Sequence, residues 1–256
     1  MDAFPQDHVM LLTLNRPKAL NAVSPTMQGD IERVLDWFDN EPSLWVVIIN
    51  GEGRIFCAGA DLIAWHKRRS NNEADSASEF IDDKHGFAGI SRRTTSGKPI
   101  IAAVHGGAYG GGTDDDAVFA LPEVKRGVVA IAGGMPRLGR IAGHQLASEM
   151  LLLGKPIKAS DAASRFGFVN KVVPKPELLP TALAWAAEIT SNSPDSVQST
   201  KRALLLTNQH AHVEDVVEAH VRSKEGKQQL AGDNMKEGLR AFTERRKPVW
   251  SNPAKL

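Results

Sequence analysis

The chain has 256 residues, 42% hydrophobic and 24% charged, with a formal charge of +1. This suits one globular domain, or one with an extension, and offers no basic surface for nucleic acid and no apolar run of membrane-span length. A single cysteine, Cys57, excludes an internal disulfide and fits a reducing compartment; the eight histidines show no metal-ligand spacing with it, so no metal is expected, and Met1-Asp2-Ala3-Phe4 lacks a basic or apolar signal region.

In chain order, Val9 to Leu14 reads as a strand, followed by a loop rich in proline and asparagine, Asn15-Arg16-Pro17-Lys18-Ala19-Leu20-Asn21-Ala22. Ser24-Pro25 is an N-cap with proline at the first helical position. Met27, Ile31, Val34, Leu35 and Phe38 then follow at helical spacing, which predicts a helix over 25–40. Leu44 to Ile49 is a buried strand, and Ile55 to Leu62 a short strand running into a small-residue turn. Lys67 to Gly86 is a polar surface segment with some helix; Phe87 to Ser96 finishes a helix; Pro99 to Val104 is another buried strand. Alternating strands and helices imply α/β layers.

From Gly139 on, helices dominate. They are expected at Ala142 to Leu153, at a short piece capped by Ser160 and ended by Gly167, and at Glu177 to Thr190, Pro194 to Thr207, Val213 to Leu230 and Asp233 to Arg245; Phe168 to Val173 is strand-like. The expected organisation is a core over 1–190 and a helical region over 191–256.

The stretch with chemistry in it is Val104-His105-Gly106-Gly107-Ala108-Tyr109-Gly110-Gly111-Gly112, which packs five glycines into seven positions after a strand. Side chains are nearly absent there, so a ligand would meet main-chain N–H groups, the right donors for a developing oxyanion. A dinucleotide fingerprint fits poorly, because His105 stands where its first glycine belongs. Glu123, in Leu121-Pro122-Glu123, is the leading acid or base.

Two motifs, Phe56-Cys-Ala-Gly-Ala-Asp-Leu62 and Ala108-Tyr-Gly-Gly-Gly112, resemble those of the enoyl-CoA hydratase/isomerase (crotonase) superfamily in order and spacing. Supporting matches are Asn15 to Ala22, Leu121 to Gly127, Ala132 to Leu138 and Ala241 to Lys247, so the resemblance runs from about Val9 to Trp250. It implies an α/β fold, a crotonase-like spiral of ββα repeats with a helical C-terminal region, assembled as a homotrimer or a dimer of trimers. It implies acyl-CoA thioester substrates, with coenzyme A part of the substrate and no separate cofactor. The thioester carbonyl would be polarised by the amides of Ala58 and Gly111. The coenzyme would lie along Lys18, Ala19, Leu20 and Ala22, along the turn Ala58, Gly59, Ala60, Asp61 and Leu62, and near Gly110, with Lys247 at a phosphate.

Family hydratases use two carboxylates. Glu123 fits the second position, and Asp114, counted without a gap, falls on the first. On the order of a dozen residues, about one mean helix, are missing between Gly112 and Phe119, and the replacement, Thr113-Asp114-Asp115-Asp116, prefers turns. A hydratase needs Asp114 to stand in for a glutamate. A Δ3,Δ2-enoyl-CoA isomerase needs Glu123 alone. A third reading is a catalytically impaired paralogue that binds acyl-CoA or serves assembly. The last residues, Ala254-Lys255-Leu256, follow Pro248, Ser251, Asn252 and Pro253, and are a variant of the tripeptide read by the peroxisomal import receptor. The expected location is the peroxisome, and the expected role is in fatty-acid β-oxidation or acyl-chain processing for a specialised metabolite.

Overall fold

The computed structural model describes residues 2–71, 84–108 and 115–254. The elements in chain order are β1 (Val9–Leu14), α1 (Pro25–Asn40), β2 (Val46–Gly51), α2 (Leu62–Ser70), β3 (Ile100–Ala103), β4 (Gly107–Ala108), β5 (Val118–Phe119), α3 (Gly134–Leu153), β6 (Ile157–Lys158) and α4 (Ala159–Ser164). Then come α5 (Lys175–Thr190), α6 (Pro194–Thr207), α7 (Val213–Arg222), α8 (Lys224–Ala231) and α9 (Asp233–Glu244).

β1, β2 and β3 form a parallel sheet in that order, with Val9 opposite Val46 and Val47 opposite Ile100. Side chains alternate across a strand, so each face collects every second residue. Met10, Val47 and Ile49 pack with Met27, Ile31, Leu35 and Phe38 of α1. Val9, Leu11, Val46 and Ile48 pack on the other face with Ala182 and Ala186 of α5. A parallel strand covered on both faces reads as a continuous apolar run, which is why β2 is legible in the sequence. Each large apolar side chain buried here contributes roughly 1.5–3 kcal/mol.

The second sheet pairs β4 parallel to β5, and β5 antiparallel to β6. Its core is Phe119, Leu138, Met150, Ile157 and Phe166. A single bridge from Cys57 to Ala108 joins the turn after β2 to β4. The first parallel return, from β1 to β2, runs through α1. The return from β4 to β5 is made within residues 109–117, shorter than the dozen or more that a parallel crossover usually takes.

α1 starts and ends where expected, with the Ser24 hydroxyl accepting from the Met27 amide. Other elements differ. Phe87 to Ser96 is not the end of a helix: one 3-10 turn, Phe87–Gly89, stands there, and Gly86, Ala88 and Gly89 all have positive φ, which a right-handed helix excludes. The segment is held instead by Arg93, buried against Asp36 at 2.6 Å and Asp39 at 2.7 Å. Ile55 to Leu62 makes isolated bridges rather than a strand, and α2 begins at Leu62. Phe168 to Val173 forms no strand; its apolar side chains pack into the second core without a sheet partner. α3 starts earlier than expected, at Gly134, with a break at Gly143, and α4 starts at Ala159, which puts Lys158 rather than Ser160 at the N-cap position, with no side-chain capping bond. Val213 to Leu230 is two helices, broken at Ser223.

Candidate active site

The turn after β2 carries main-chain groups in an unusual arrangement. The Cys57 amide donates to Gly107 O at 3.2 Å, so the turn lies along β4. The Ala58 amide donates to Leu20 O at 2.9 Å. That donor, expected for the thioester, is therefore committed to the fold, and this departs from the sequence reading. Gly59, at φ 87, turns the chain. Its carbonyl accepts from the Val23 amide at 2.8 Å, and the Asp61 amide donates to Val23 O at 3.1 Å. These two bonds flank the parallel bridge between Val23 and Ala60. In such a bridge the flanking groups face the partner, so the N–H and C=O of Ala60 itself face away from it. The Ala60 amide has no hydrogen-bond partner among the described residues, and Ala60 is exposed. The open donor thus sits two residues beyond the expected one.

The loop before α1 is stitched to this turn. Asn21 is fully buried; its Oδ1 accepts from the Arg16 amide at 2.8 Å and its Nδ2 donates to Glu52 O and Ile55 O, both at 2.9 Å. The Cys57 thiol donates to the Asn21 carbonyl at 3.2 Å, and burial pushes that thiol up, away from reactivity. Arg16 Nη1 donates to Ala22 O at 2.5 Å and to Asp61 Oδ2 at 3.2 Å. Asp61 Oδ1 accepts from the Ala64 amide, starting α2; that bond and the Arg16 guanidinium hold the carboxyl below its usual range. The sequence reading placed Lys18, Ala19, Leu20 and Ala22 in this loop as coenzyme contacts. Lys18 is exposed and the other three are half-buried. It did not single out Arg16 or Asn21. The available signal was a charged and an amide residue flanking Pro17 to Leu20 at the mouth of an apolar strand.

Glu123 opens a 3-10 turn, Glu123–Arg126, closed by Gly127 at φ 70. Leu121, two residues earlier, packs against the second core and lies beside Gly134 at the start of α3. This places the carboxylate on a short, packed element. Its Oε2 is buried and has no hydrogen-bond partner among the described residues. Desolvation pushes the carboxyl above its ordinary value, opposed by a bond to its own main chain. A carboxyl shifted in that direction holds its proton more readily than a solvated one, which suits a group that must both take and return a proton.

Gly110, Gly111 and Asp114 lie outside the described residues. Asp115 and Asp116 are exposed to solvent, and the Asp115 amide donates to Val173 O. Gly106, at φ 64, has its Cα so close to Arg54 O that a Cβ would overlap it, so the first glycine of the run serves a close backbone approach. Lys247 is exposed on the segment after α9. Of the terminal tripeptide, Ala254 is held to the fold. The Ala254 amide donates to Asp195 Oδ1 at 3.1 Å and its carbonyl accepts from Gln228 Nε2. Lys255 and Leu256 lie outside the described residues. No group of three or more His, Cys, Asp or Glu suited to a metal occurs among the described residues.

Residues 5–253 match the enoyl-CoA hydratase/isomerase family model. The chain belongs to this family. It is 44% identical to the mevalonyl-coenzyme A hydratase of Aspergillus fumigatus, over 99% of this chain and 95% of that one. It is 35% identical to the carnitinyl-CoA dehydratase of Escherichia coli K12, over 94% of both. Among solved structures, the enoyl-CoA hydratase of Mycobacterium tuberculosis H37Rv superposes with a TM-score of 0.82 at 30% identity, covering 97% of each chain. The fold is thus the crotonase fold, and hydratase-type acyl-CoA chemistry is the family's common ground here. The match to the Aspergillus fumigatus enzyme spans 268 alignment positions, more than the 256 residues of this chain, so the relative has at least a dozen residues with no counterpart.

Proposed function

We propose that this family member is a hydro-lyase that interconverts a short, hydroxylated 3-hydroxyacyl-CoA with its 2-enoyl-CoA, using Glu123 as the acid/base. The observation that carries it is the buried Glu123 oxygen with no partner among the described residues. In the dehydration direction, Glu123 takes the proton from Cα and charge builds on the thioester oxygen. The Ala60 amide, left open by the fold, donates to that oxygen. The C3–O bond then breaks, the double bond forms between C2 and C3, and the proton on Glu123 leaves with the hydroxyl as water. Hydration is the reverse. One carboxylate is enough if it moves a single proton between Cα and the oxygen at C3. The relatives named for mevalonyl-CoA and carnitinyl-CoA support a hydroxylated acyl group over a plain fatty chain.

The test offers the purified protein mevalonyl-CoA, a plain 2-enoyl-CoA and a 3-enoyl-CoA, and follows the conjugated-thioester absorbance. Mevalonyl-CoA should gain that absorbance with the highest kcat/KM. Turnover of the 3-enoyl-CoA alone would make the protein an isomerase. Coenzyme A binding with no turnover of any of the three would make it a non-catalytic paralogue.

Self-association belongs to the same proposal. Met235, Leu239 and Phe242 form an apolar stripe on α9, and Phe242 is 84% exposed. A lone subunit would leave that stripe in water. Light scattering after gel filtration should give three or six times the chain mass, and Phe242→Asp should lower it. A monomer at micromolar concentration removes the idea.

A further inference from the structure

We infer that Arg16, with Asn21 behind it, is a positioning residue for the carbonyl-polarising amide of Ala60; this rests on the role of that amide proposed above. Ala60 has no strand ladder around it. Among the described residues its only regular pairing is the isolated bridge to Val23. A donor must be held within a fraction of an ångström of the reacting oxygen to be effective, so something besides that bridge has to fix it.

Arg16 is placed to do so. One guanidinium nitrogen donates both to Ala22 O and to Asp61 Oδ2, and Nη2 also reaches Asp61 Oδ2 at 3.3 Å. Ala22 precedes Val23, and Asp61 follows Ala60. The guanidinium therefore spans the bridge from one neighbour to the other and sets the separation of its two strands.

Asn21 fixes where Arg16 starts from. Leu20 and Asn21 are consecutive non-glycine residues at φ 52 and 54. Such a pair persists only where surrounding bonds over-determine it. Here they do: the Asn21 side chain holds the Arg16 amide on one side and the carbonyls of Glu52 and Ile55 on the other, while Leu20 O takes the Ala58 amide. The left-handed pair turns the loop so that Arg16 faces Asp61. The geometry also separates two neighbouring amides: Ala58 anchors the turn, and Ala60 is presented to the ligand.

Arg16 is partly exposed, with 37% of its side-chain surface accessible, so Arg16→Met should fold. Asn21→Ser is the harsher variant, checked by its melting temperature. Two readouts are needed. The first is kcat and KM on the best substrate. The second is the infrared carbonyl stretch of a bound, slowly reacting thioester, which moves down as hydrogen bonding to that oxygen strengthens. Arg16→Met should lower kcat about tenfold to a hundredfold, the range a misplacement near 1 Å produces, with KM changing less. It should also shrink the downshift seen in the wild-type protein. Arg16→Lys restores the charge without the fixed fork and should recover part of both.

Wild-type kcat and a full downshift in Arg16→Met overturn the positioning role, and so does a lowered kcat with the downshift intact. A wild-type protein that shows neither turnover nor downshift overturns the proposed function instead, so the two failures are distinguishable.

Discussion

Glu123→Gln should lower kcat about 10²–10⁴-fold, the range associated with a lost general acid/base, and should leave the protein at least as stable as the wild type. The change is nearly isosteric and breaks no ion pair. Oε2 of Glu123 has no hydrogen-bond partner among the described residues, and burial raises its carboxyl pKa. A carboxyl whose folded pKa exceeds its unfolded one binds its proton more tightly in the fold. Its contribution to stability is therefore fully present below the unfolded value and is lost as pH rises from there through the folded value. Glutamine cannot ionise and escapes that loss. Thermal melts of the two proteins should coincide near pH 4 and separate in favour of the variant toward pH 7.5. The acid limb of the wild-type kcat/KM profile should sit above the ordinary carboxylate range for the same reason. A variant that keeps activity within threefold would remove Glu123 from the mechanism. The same pattern, a group that weakens the fold yet serves the chemistry, is common at active sites.

The sequence was most informative where one local signal decided one local structure. Ser24-Pro25 and the spacing of Met27, Ile31, Leu35 and Phe38 located α1 because cap and apolar stripe act within the helix itself. The apolar run of β2 was readable because both its faces are covered. Misreadings arose where a cap inside an amphipathic pattern, or a contact distant in sequence, decided. Ser223 splits an amphipathic pattern into α7 and α8 because its hydroxyl accepts from the Gly226 amide at 3.1 Å and donates to His220 O at 2.6 Å, capping two helices at once. Phe168 to Val173 has the composition of a strand, but a ladder needs a neighbour as well as apolar side chains, and the second core takes those side chains directly. Glu123 could be proposed from the sequence because a side chain carries its chemistry in its name. The Ala60 amide could not. A motif names the residues of a turn, whereas the direction of each N–H depends on φ and ψ, and Gly59 at φ 87 decides which amide points out.

Ala60→Pro is the cleanest way to read that direction in solution. Proline removes an N–H and fixes φ at a negative value. Ala60 is not among the positive-φ residues, and its N–H bonds to nothing among the described residues, so the fold loses no hydrogen bond. Gly59, having no Cβ, tolerates a following proline better than any other residue. The variant should melt near the wild type yet lose about 10²–10³-fold in kcat, the loss typical of one missing oxyanion donor. Ala58→Pro should behave in the opposite order. It breaks the bond to Leu20 O and leaves that half-buried carbonyl unpaired, a cost of about 1–3 kcal/mol, so its first effect is on stability. Low temperature, where the turn stays formed, should return much of its activity. If Ala60→Pro turns over normally while folded Ala58→Pro is inert, the Leu20 carbonyl must give way when the thioester binds, and Ala58 is the donor after all. The pair of variants therefore decides between two amides of one turn, which sequence motifs do not distinguish.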